Sequence, residues 1–101
     1  MPVQKLQNAC TTFLHADRRE RIFFICDLSL SGNCKEGFAM TDKGIYWKAN
    51  LASAYQVQFG GLKEVRFNKE YLTVNNHFFN ANPSLNLKLF KLLKKLRELN
   101  N

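Results

Sequence analysis

The sequence lacks the marks of a membrane-spanning or secreted protein. None of its apolar runs approaches the roughly 20 residues that a helix needs to cross a bilayer. The first ten residues, MPVQKLQNAC, contain neither the charged stretch nor the long apolar stretch of a secretory signal. The three cysteines form no C-x-x-C pair, whereas small secreted proteins usually have paired cysteines. We therefore expect a cytoplasmic protein.

The sequence also lacks the motifs of common catalytic and nucleotide-binding sites. It contains no G-x-x-x-x-G-K-[ST], G-x-G-x-x-G, H-E-x-x-H or G-x-S-x-G. His15 and His77 lie far apart, and neither stands near a cysteine at the spacing of zinc ligands. No spacing favours either histidine as the base for a cysteine nucleophile, and Cys10 and Cys26 are predicted to be small buried apolar residues. We expect no enzymatic activity, no metal and no cofactor.

What is present is enough apolar sequence for one packed domain. The chain has 101 residues, of which 46% are hydrophobic, and it contains nine phenylalanines. A chain of this length can bury a single modest core. We predict one domain over 1–101, with an N-terminal helix in 1–17, antiparallel strands in 18–82 and a closing helix in 83–101.

The N-terminal segment has the apolar spacing of a one-sided helix. Its apolar residues recur mostly three or four positions apart, at Val3, Leu6, Cys10, Phe13 and Leu14. Pro2 suits a first helical turn, where its missing N–H costs nothing. We predict a helix over 3–15, followed by a charged link up to the first strand.

The stretch EGFAMTDKGIYWKAN predicts a β-hairpin with strands over 37–42 and 44–49. Alternate residues of each strand point to opposite faces, so each strand has one inward face. In the tight turn we expect Asp42 to bond to the local backbone and Gly44 to take a positive φ. Trp47, in the second strand, is predicted to anchor the core rather than to contact a ligand.

Short segments of alternating hydrophobicity continue down the chain. Together with the apolar run RIFFICDLS they predict further strands, over 21–28, 53–59, 62–67, 70–75 and 77–81. The turns between them include Asn68-Lys69-Glu70 and Asn75-Asn76, and asparagine tolerates the positive φ of a hairpin turn. Seven short strands at regular spacing are typical of a sandwich or a small barrel.

The chain ends in a helix, predicted over 83–99, with leucine on one side and lysine on the other. Asn82 and Pro83 are the residue types of an N-cap and a first helical position. The leucine stripe consists of Leu85, Leu89, Leu92, Leu96 and Leu99. The predicted core of the whole protein is Phe38, Met40, Ile45, Trp47, Val57, Phe59, Val65, Leu72, Val74, Leu89, Leu92 and Leu96.

Four features occur in order along residues 20–99: KEGFAMTDKGIYWKAN, a strand leading to LKEVRF, the short hairpin YLTVNN, and the closing Leu/Lys helix. This order resembles a bacterial pleckstrin-homology-like domain. The resemblance implies an α+β, mainly β fold, in which bent antiparallel sheets form a partly open barrel, the last helix caps one end and the N-terminal helix packs outside. It also implies a binding or scaffolding module, because domains of this shape are rarely enzymes.

Positive charge is the one compositional feature that points to a ligand. The chain has 15 Lys and Arg against eight Asp and Glu, a net charge of +7, which favours nucleic acid, an anionic membrane or an acidic protein as partner. The candidate basic surface on the closing helix consists of Lys88, Lys91, Lys94, Lys95 and Arg97. A lysine-rich helical face is also a common way to keep a helix solvated.

Three hypotheses follow for function. The first is a module that binds another protein or a peptide, through a sheet edge or a loop surface. The second is a binder of nucleic acid or an anionic membrane through its basic face. Phosphoinositide-binding domains of the resembling superfamily cluster basic residues on the first two strands and their loop, where LSLSGNCKEGFAM offers only Lys35. The third, an enzyme, has the least support, and the protein-binding module is the one we expect.

Leu87 and Phe90 lie off the leucine stripe and form a candidate interaction surface. An exposed pair of large apolar side chains often marks an interface. The pair is expected either to meet the apolar face of the N-terminal helix, within one chain or from a second copy, or to stay exposed. We favour a monomer over a homodimer, since the two helices need a shared surface in either case.

Overall fold

The computed structural model describes residues 3–49, 52–68 and 70–99. The elements are α1 (Val3–Thr12), β1 (Ile22–Asp27), β2 (Gly37–Thr41), β3 (Gly44–Lys48), β4 (Ala54–Gln58), β5 (Val65–Asn68), β6 (Tyr71–Val74), β7 (His77–Phe79) and α2 (Pro83–Leu99). A short 3-10 helix, Phe59–Gly61, lies between β4 and β5. None of the described helices is long and apolar enough to cross a bilayer.

The predicted α+β, mainly β class, with seven antiparallel strands between two helices, is confirmed. The described strands form two separate sheets, with orders β1-β2-β3-β4 and β5-β6-β7, and do not close into a barrel. The predictions made for Pro2 and Lys69 lie outside the described residues. The helix α2 has its predicted bounds, whereas α1 ends at Thr12 and β5 begins at Val65, after the 3-10 helix.

The chain divides into two compact units, Met1–Gln56 and Val57–Asn101, called here the N-terminal unit and the C-terminal unit. Each unit has its own buried residues. A single domain over 1–101, and a closing helix that caps a barrel mouth, stay predictions.

In the N-terminal unit, α1 covers one face of the sheet. A cluster of Ala9, Phe13, Leu14, Cys34, Ala39 and Tyr46 is buried between them. The amides of Phe13 and Leu14 both donate to the carbonyl of Ala9, which ends the helix while keeping the two side chains inside. The predicted apolar face of α1 is therefore partly wrong, because Val3, Leu6 and Cys10 are exposed.

The other face of the same sheet is buried as predicted. Its buried side chains are Phe38, Met40, Ile45 and Trp47. The ring of Phe24 meets Phe38 edge-on at 5.9 Å, and Trp47 lies 5.6 Å from Tyr55. Because both faces are covered, every residue of β2 is buried, and so is every residue of β3 before Lys48.

The β2–β3 turn differs from its prediction. The hydroxyl of Thr41 accepts hydrogen bonds from the amides of Lys43 (3.0 Å) and Gly44 (3.2 Å), and Gly44 already belongs to β3. The Asp42 carboxylate does not bond locally but accepts from the Arg21 amide at 2.9 Å. The Asp42 amide in turn donates to the Arg21 carbonyl at 3.0 Å. The turn is thus closed by Thr41 and joined to the segment before β1.

In the C-terminal unit, α2 packs on one face of the three-stranded sheet. It contacts β5 and β6, and the ring of Phe90 lies 5.4 Å from that of Phe67. Along β6, Leu72 and Val74 are buried while their neighbours are half-buried, as the alternation predicts. The β6–β7 turn has the predicted asparagines with positive φ, 50° at Asn75 and 69° at Asn76.

The rotation of α2 about its axis differs from the prediction. The N-cap is confirmed, since the Asn82 side chain accepts from the Leu85 amide at 2.9 Å. The buried face, however, is centred on Asn86, Leu89 and Leu93. Leu92, predicted to be buried, is 41% exposed.

The position of Asn86 explains this rotation. Its side chain accepts from the Ala81 amide at 2.9 Å and donates to the Glu70 carbonyl (3.2 Å) and the Asn80 side chain (2.9 Å). These bonds replace those to water, so a polar residue is stable inside.

Of the other predicted core residues, Val57 is buried, and Phe59, Val65 and Leu96 are half-buried.

Candidate functional site

The described residues form no metal-binding group, and two of the three cysteines have raised pKa values. Among the described residues, no three His, Cys, Asp or Glu side chains lie where they could hold a metal ion. Burial raises the pKa of Cys34, which is fully buried, and of Cys26, which is half-buried. Raised pKa values keep thiols protonated and unreactive. Cys10 is exposed, so its predicted burial is wrong. That the protein is not an enzyme stays a prediction.

A half-buried carboxylate, Glu20, forms a polar cluster where β1 begins. The Tyr46 hydroxyl donates to Glu20 at 2.7 Å, and the Thr41 hydroxyl donates to it at 2.8 Å. Burial raises the pKa of Glu20, but the bonds from Tyr46, the Asp17 amide and Thr41 outweigh it and hold that pKa below its ordinary value. Burial, and then the bond to Glu20, raise the pKa of Tyr46. The cluster ties the link before β1 to the β2–β3 hairpin.

A second carboxylate holds the other end of β1. Asp27 accepts from the Ser29 amide (2.9 Å) and hydroxyl (2.5 Å), and its other oxygen lies 3.6 Å from Lys5 Nζ in α1. The Ser29 bonds lower the pKa of Asp27, although its burial opposes them. The Ser29 hydroxyl also accepts from the Cys34 amide at 3.1 Å, which closes the loop after the strand. Both ends of β1 are therefore fixed.

The pairing of β1 with β2 depends on one glycine. A Cβ at Gly37 would lie 2.1 Å from the Cys26 carbonyl oxygen, far inside contact distance. The two strands pair antiparallel from Cys26–Phe38 to Phe24–Met40, and the register then shifts between Ile22 and Phe24. Phe23 is the extra residue of this bulge, which turns its side chain away from the ladder.

The β1 edge is the most unusual surface of the N-terminal unit. Strand β1 is the outer strand of its sheet, and no described strand pairs along its other side. Ile22, Phe23 and Phe24 are exposed by 42%, 61% and 41%. We use "the β1 edge" for these three residues and the free side of the strand. Three consecutive large apolar side chains on an open edge are a template for pairing with another chain.

Positive charge lies beside the β1 edge. Arg18, Arg19 and Arg21 are exposed in the link that enters the strand. Leu30, in the loop after the strand, is 93% exposed. The surface is therefore apolar along the strand, and at its start the three arginines lie among the carboxylates of Asp17, Glu20 and Asp42.

The predicted basic surface on α2 is largely solvent-facing. Lys88, Lys91, Lys94 and Lys95 are exposed. The Nζ of Lys94 lies 6.0 Å from the ring centroid of Phe90. Arg97 is half-buried and donates to the Lys63 carbonyl at 3.3 Å, so it contacts the segment before β5 in its own unit.

The predicted interaction pair on α2 has two different environments. Leu87 is 41% exposed, whereas Phe90 is half-buried on Phe67. The two side chains therefore do not form one exposed patch. Their role in binding, and the preference for a monomer, stay predictions.

The described residues line several shallow clefts, and three of these lie within the units. Two are in the C-terminal unit, about 330 Å³ beside Arg66, Tyr71 and Thr73, and about 470 Å³ beside Lys63 and Asn75. The third, about 240 Å³, lies in the N-terminal unit beside Phe13, His15 and Tyr55. None of the three is lined by a cysteine.

Sequence analysis missed the β1 edge. The run RIFFICDLS predicts a strand but not its place in the sheet, and an unbroken apolar run usually indicates a strand buried on both faces. The exposure of three successive residues follows from the outer position of β1 and from the bulge at Phe23. The one signal in the sequence is the charged group Arg18-Arg19-Glu20-Arg21 just before the strand.

Comparisons of the chain with protein family models, with curated proteins and with solved structures find no match.

Proposed function

We propose that this protein is a non-enzymatic binding module, of the pleckstrin-homology-like type and cytoplasmic, that takes an extended segment of another protein onto the β1 edge. The observation that supports it is the exposure of Ile22, Phe23 and Phe24 on an outer strand. An added strand would gain backbone hydrogen bonds along β1 and apolar contacts with these side chains.

The β1 edge is prepared for such a strand. The Glu20 cluster fixes its beginning, and the Asp27 bonds fix its end. Because the strand is already ordered, binding costs less conformational entropy than it would on a loop. The partner segment is ordered on binding, and its ordering is the main cost.

The charge next to the edge defines the chemistry of the partner. Arg18, Arg19 and Arg21 lie before β1 and favour carboxylates. The exposed phenylalanines favour β-branched or aromatic side chains. We expect an extended segment that alternates apolar residues and has Asp or Glu at the end that lies beside the arginines.

A peptide selection tests this function. The full chain is used to select from a random library of displayed peptides, and the enriched peptides are then synthesised and their affinities measured. We expect apolar alternation with acidic residues, and a loss of affinity of about 5- to 150-fold for Phe23→Ser, since a central anchor contributes about 1–3 kcal/mol. Phe78→Ser is the matched control, because Phe78 is 48% exposed in the C-terminal unit.

Three outcomes would contradict the proposal. The first is that no peptide is enriched, and the second is that enriched peptides bind Phe23→Ser as well as wild type. The third comes from sedimentation of the protein alone. A concentration-dependent dimer that Phe23→Ser dissociates would assign the edge to a second copy of the chain.

A further inference from the structure

The C-terminal unit has most of the net charge. It contains eight Lys and Arg and three Asp and Glu, a net +5, while the N-terminal unit contains seven and five, a net +2. Helix α2 alone has five of these basic residues and a single acidic one, Glu98. The basic character of the protein is therefore concentrated in one helix.

On α2, lysines form a stripe opposite the buried face. Lys88, Lys91 and Lys95, called here the lysine stripe, recur at spacings of three and four, so they share one side of the helix. All three are exposed, whereas Asn86, Leu89 and Leu93 are buried. The stripe points into solvent in the folded chain.

Leucines flank the lysine stripe on the solvent side. Leu92 is 41% exposed and Leu99 is 72% exposed, and both lie on the same side of the stripe. Leu87, also 41% exposed, lies on its other side. Solvation alone explains the lysines but not three exposed leucines among them.

The combination of exposed lysines and exposed leucines on α2 favours one kind of anionic partner over another. The phosphate backbone of a nucleic acid pairs with lysines but offers little to an aliphatic side chain. The surface of an anionic bilayer accepts both, because lysines stay at the headgroups while leucines enter the acyl boundary. We propose that the solvent face of α2 binds an anionic lipid surface. This inference rests on α2 alone and is independent of the function proposed for the β1 edge.

The expected strength of membrane binding follows from the typical contributions of single lysine and leucine side chains. A lysine near an anionic bilayer raises the partition coefficient about fivefold, so two lysines contribute about 30-fold. The part of Leu92 that is still exposed contributes about fivefold when it enters the membrane. Phosphatidylcholine, which has no net charge, is expected to bind at least about 30-fold more weakly than a mixture with phosphatidylglycerol.

Vesicle co-sedimentation of the full chain tests the inference. The vesicles are pure phosphatidylcholine or a seven-to-three mixture of phosphatidylcholine and phosphatidylglycerol. Lys91→Gln/Lys95→Gln is expected to lower binding to the mixture about 30-fold. Its matched control is Lys35→Gln/Lys43→Gln, which removes the same charge from exposed positions of the N-terminal unit and is expected to lower binding less than about threefold. Thermal melting shows that each variant is folded.

Leu92→Ser separates a lipid surface from other anions. We expect it to weaken vesicle binding about fivefold and to leave binding to a 20-nucleotide single-stranded DNA unchanged. The inference is overturned if the vesicles do not bind, or if the two double-lysine variants lose equally. It is also overturned if DNA binds more tightly than the vesicles and Leu92→Ser has no effect on the vesicles.

Discussion

The two sheets of the protein differ in how many of their faces are covered. In the N-terminal unit, β2 and β3 are buried on both faces, with α1 on one of them. In the C-terminal unit, α2 covers one face, and the other presents Arg66, Thr73 and Phe78 at or near the surface. In the N-terminal unit the exposed apolar surface of the sheet is thus at the edge of β1, whereas the C-terminal unit has an open sheet face and the solvent face of α2.

The two units also expose different chemistry at those places. The β1 edge is apolar and offers backbone groups, so its binding is expected to change little with salt apart from the contribution of the arginines. The lysine stripe depends on charge and is expected to lose affinity steeply as salt rises. We therefore expect the two proposed binding surfaces to differ in how strongly salt weakens their binding.

The largest expected effect tests the doubly covered sheet. Trp47 is fully buried, so Trp47→Ala is expected to lower the free energy of unfolding by about 3–5 kcal/mol. Phe78→Ala, on the open face of the other sheet, is expected to cost about 1 kcal/mol, mainly its contact with Tyr71 at 5.1 Å. Urea unfolding measures both. Equal losses of unfolding free energy in the two variants would mean that the sheet face containing Phe78 is covered as fully as the one containing Trp47.

The next effect tests the rotation of α2. Leu93→Ala is expected to cost about 2–5 kcal/mol because Leu93 is fully buried. Leu92→Ala, one position away on the exposed side, is expected to cost less than about 1 kcal/mol. If urea unfolding gave the reverse order, the leucine stripe predicted from the sequence would be the buried face.

A smaller effect tests the polar cluster in which Glu20 is bonded to Tyr46 and Thr41 of the β2–β3 hairpin. The ionised form of Glu20 accepts the bonds from Tyr46 and Thr41, and its pKa is lowered from the ordinary value of 4.5. A lowered pKa means that this stability is present above about pH 4.5 and is lost as the pH falls through the lowered value.

Glu20→Gln is therefore expected to cost about 1–3 kcal/mol at pH 7 and progressively less below pH 4.5. Thermal melts of wild type and variant between pH 3 and pH 7 measure the difference. A gap between the two proteins that does not narrow towards low pH would contradict the role given to the carboxylate.

How well the sequence predicts which residues are buried differs between the two sheets. Alternation identified Leu72 and Val74 as buried, because one face of their sheet is open. In β2 and β3 it identified four of the nine buried residues, and Ala39 and Tyr46, which lie under α1, were among those missed. No pattern within a strand shows that a distant helix will cover its second face.

The bounds of α2 could be predicted but its rotation could not. Asn82 and Pro83 define its start through local backbone bonds. The leucines, however, cover a broad arc that includes the adjacent Leu92 and Leu93, so more than one stripe within that arc is about equally apolar. The choice among them depends on Asn86, whose bonds reach Glu70 and Asn80, and such contacts are not visible in a helical period. The β1 edge was missed for a related reason, because strand order is a tertiary property.

The smallest expected effect checks that the lysine stripe acts in binding and not in folding. Lys91 and Lys95 are exposed, so Lys91→Gln/Lys95→Gln is expected to change the free energy of unfolding by less than about 0.5 kcal/mol. Urea unfolding at low and high salt measures it. A loss above about 1 kcal/mol would show that the lysines stabilise the fold itself.

The most direct test of the account is an NMR titration of one labelled sample with two ligands. The backbone amide signals are followed first with a peptide from the library selection and then with bicelles that contain phosphatidylglycerol. We predict that the peptide shifts signals of residues 21–25 and that the bicelles shift signals of residues 87–99. The account is contradicted if both ligands shift the same residues, or if neither set responds.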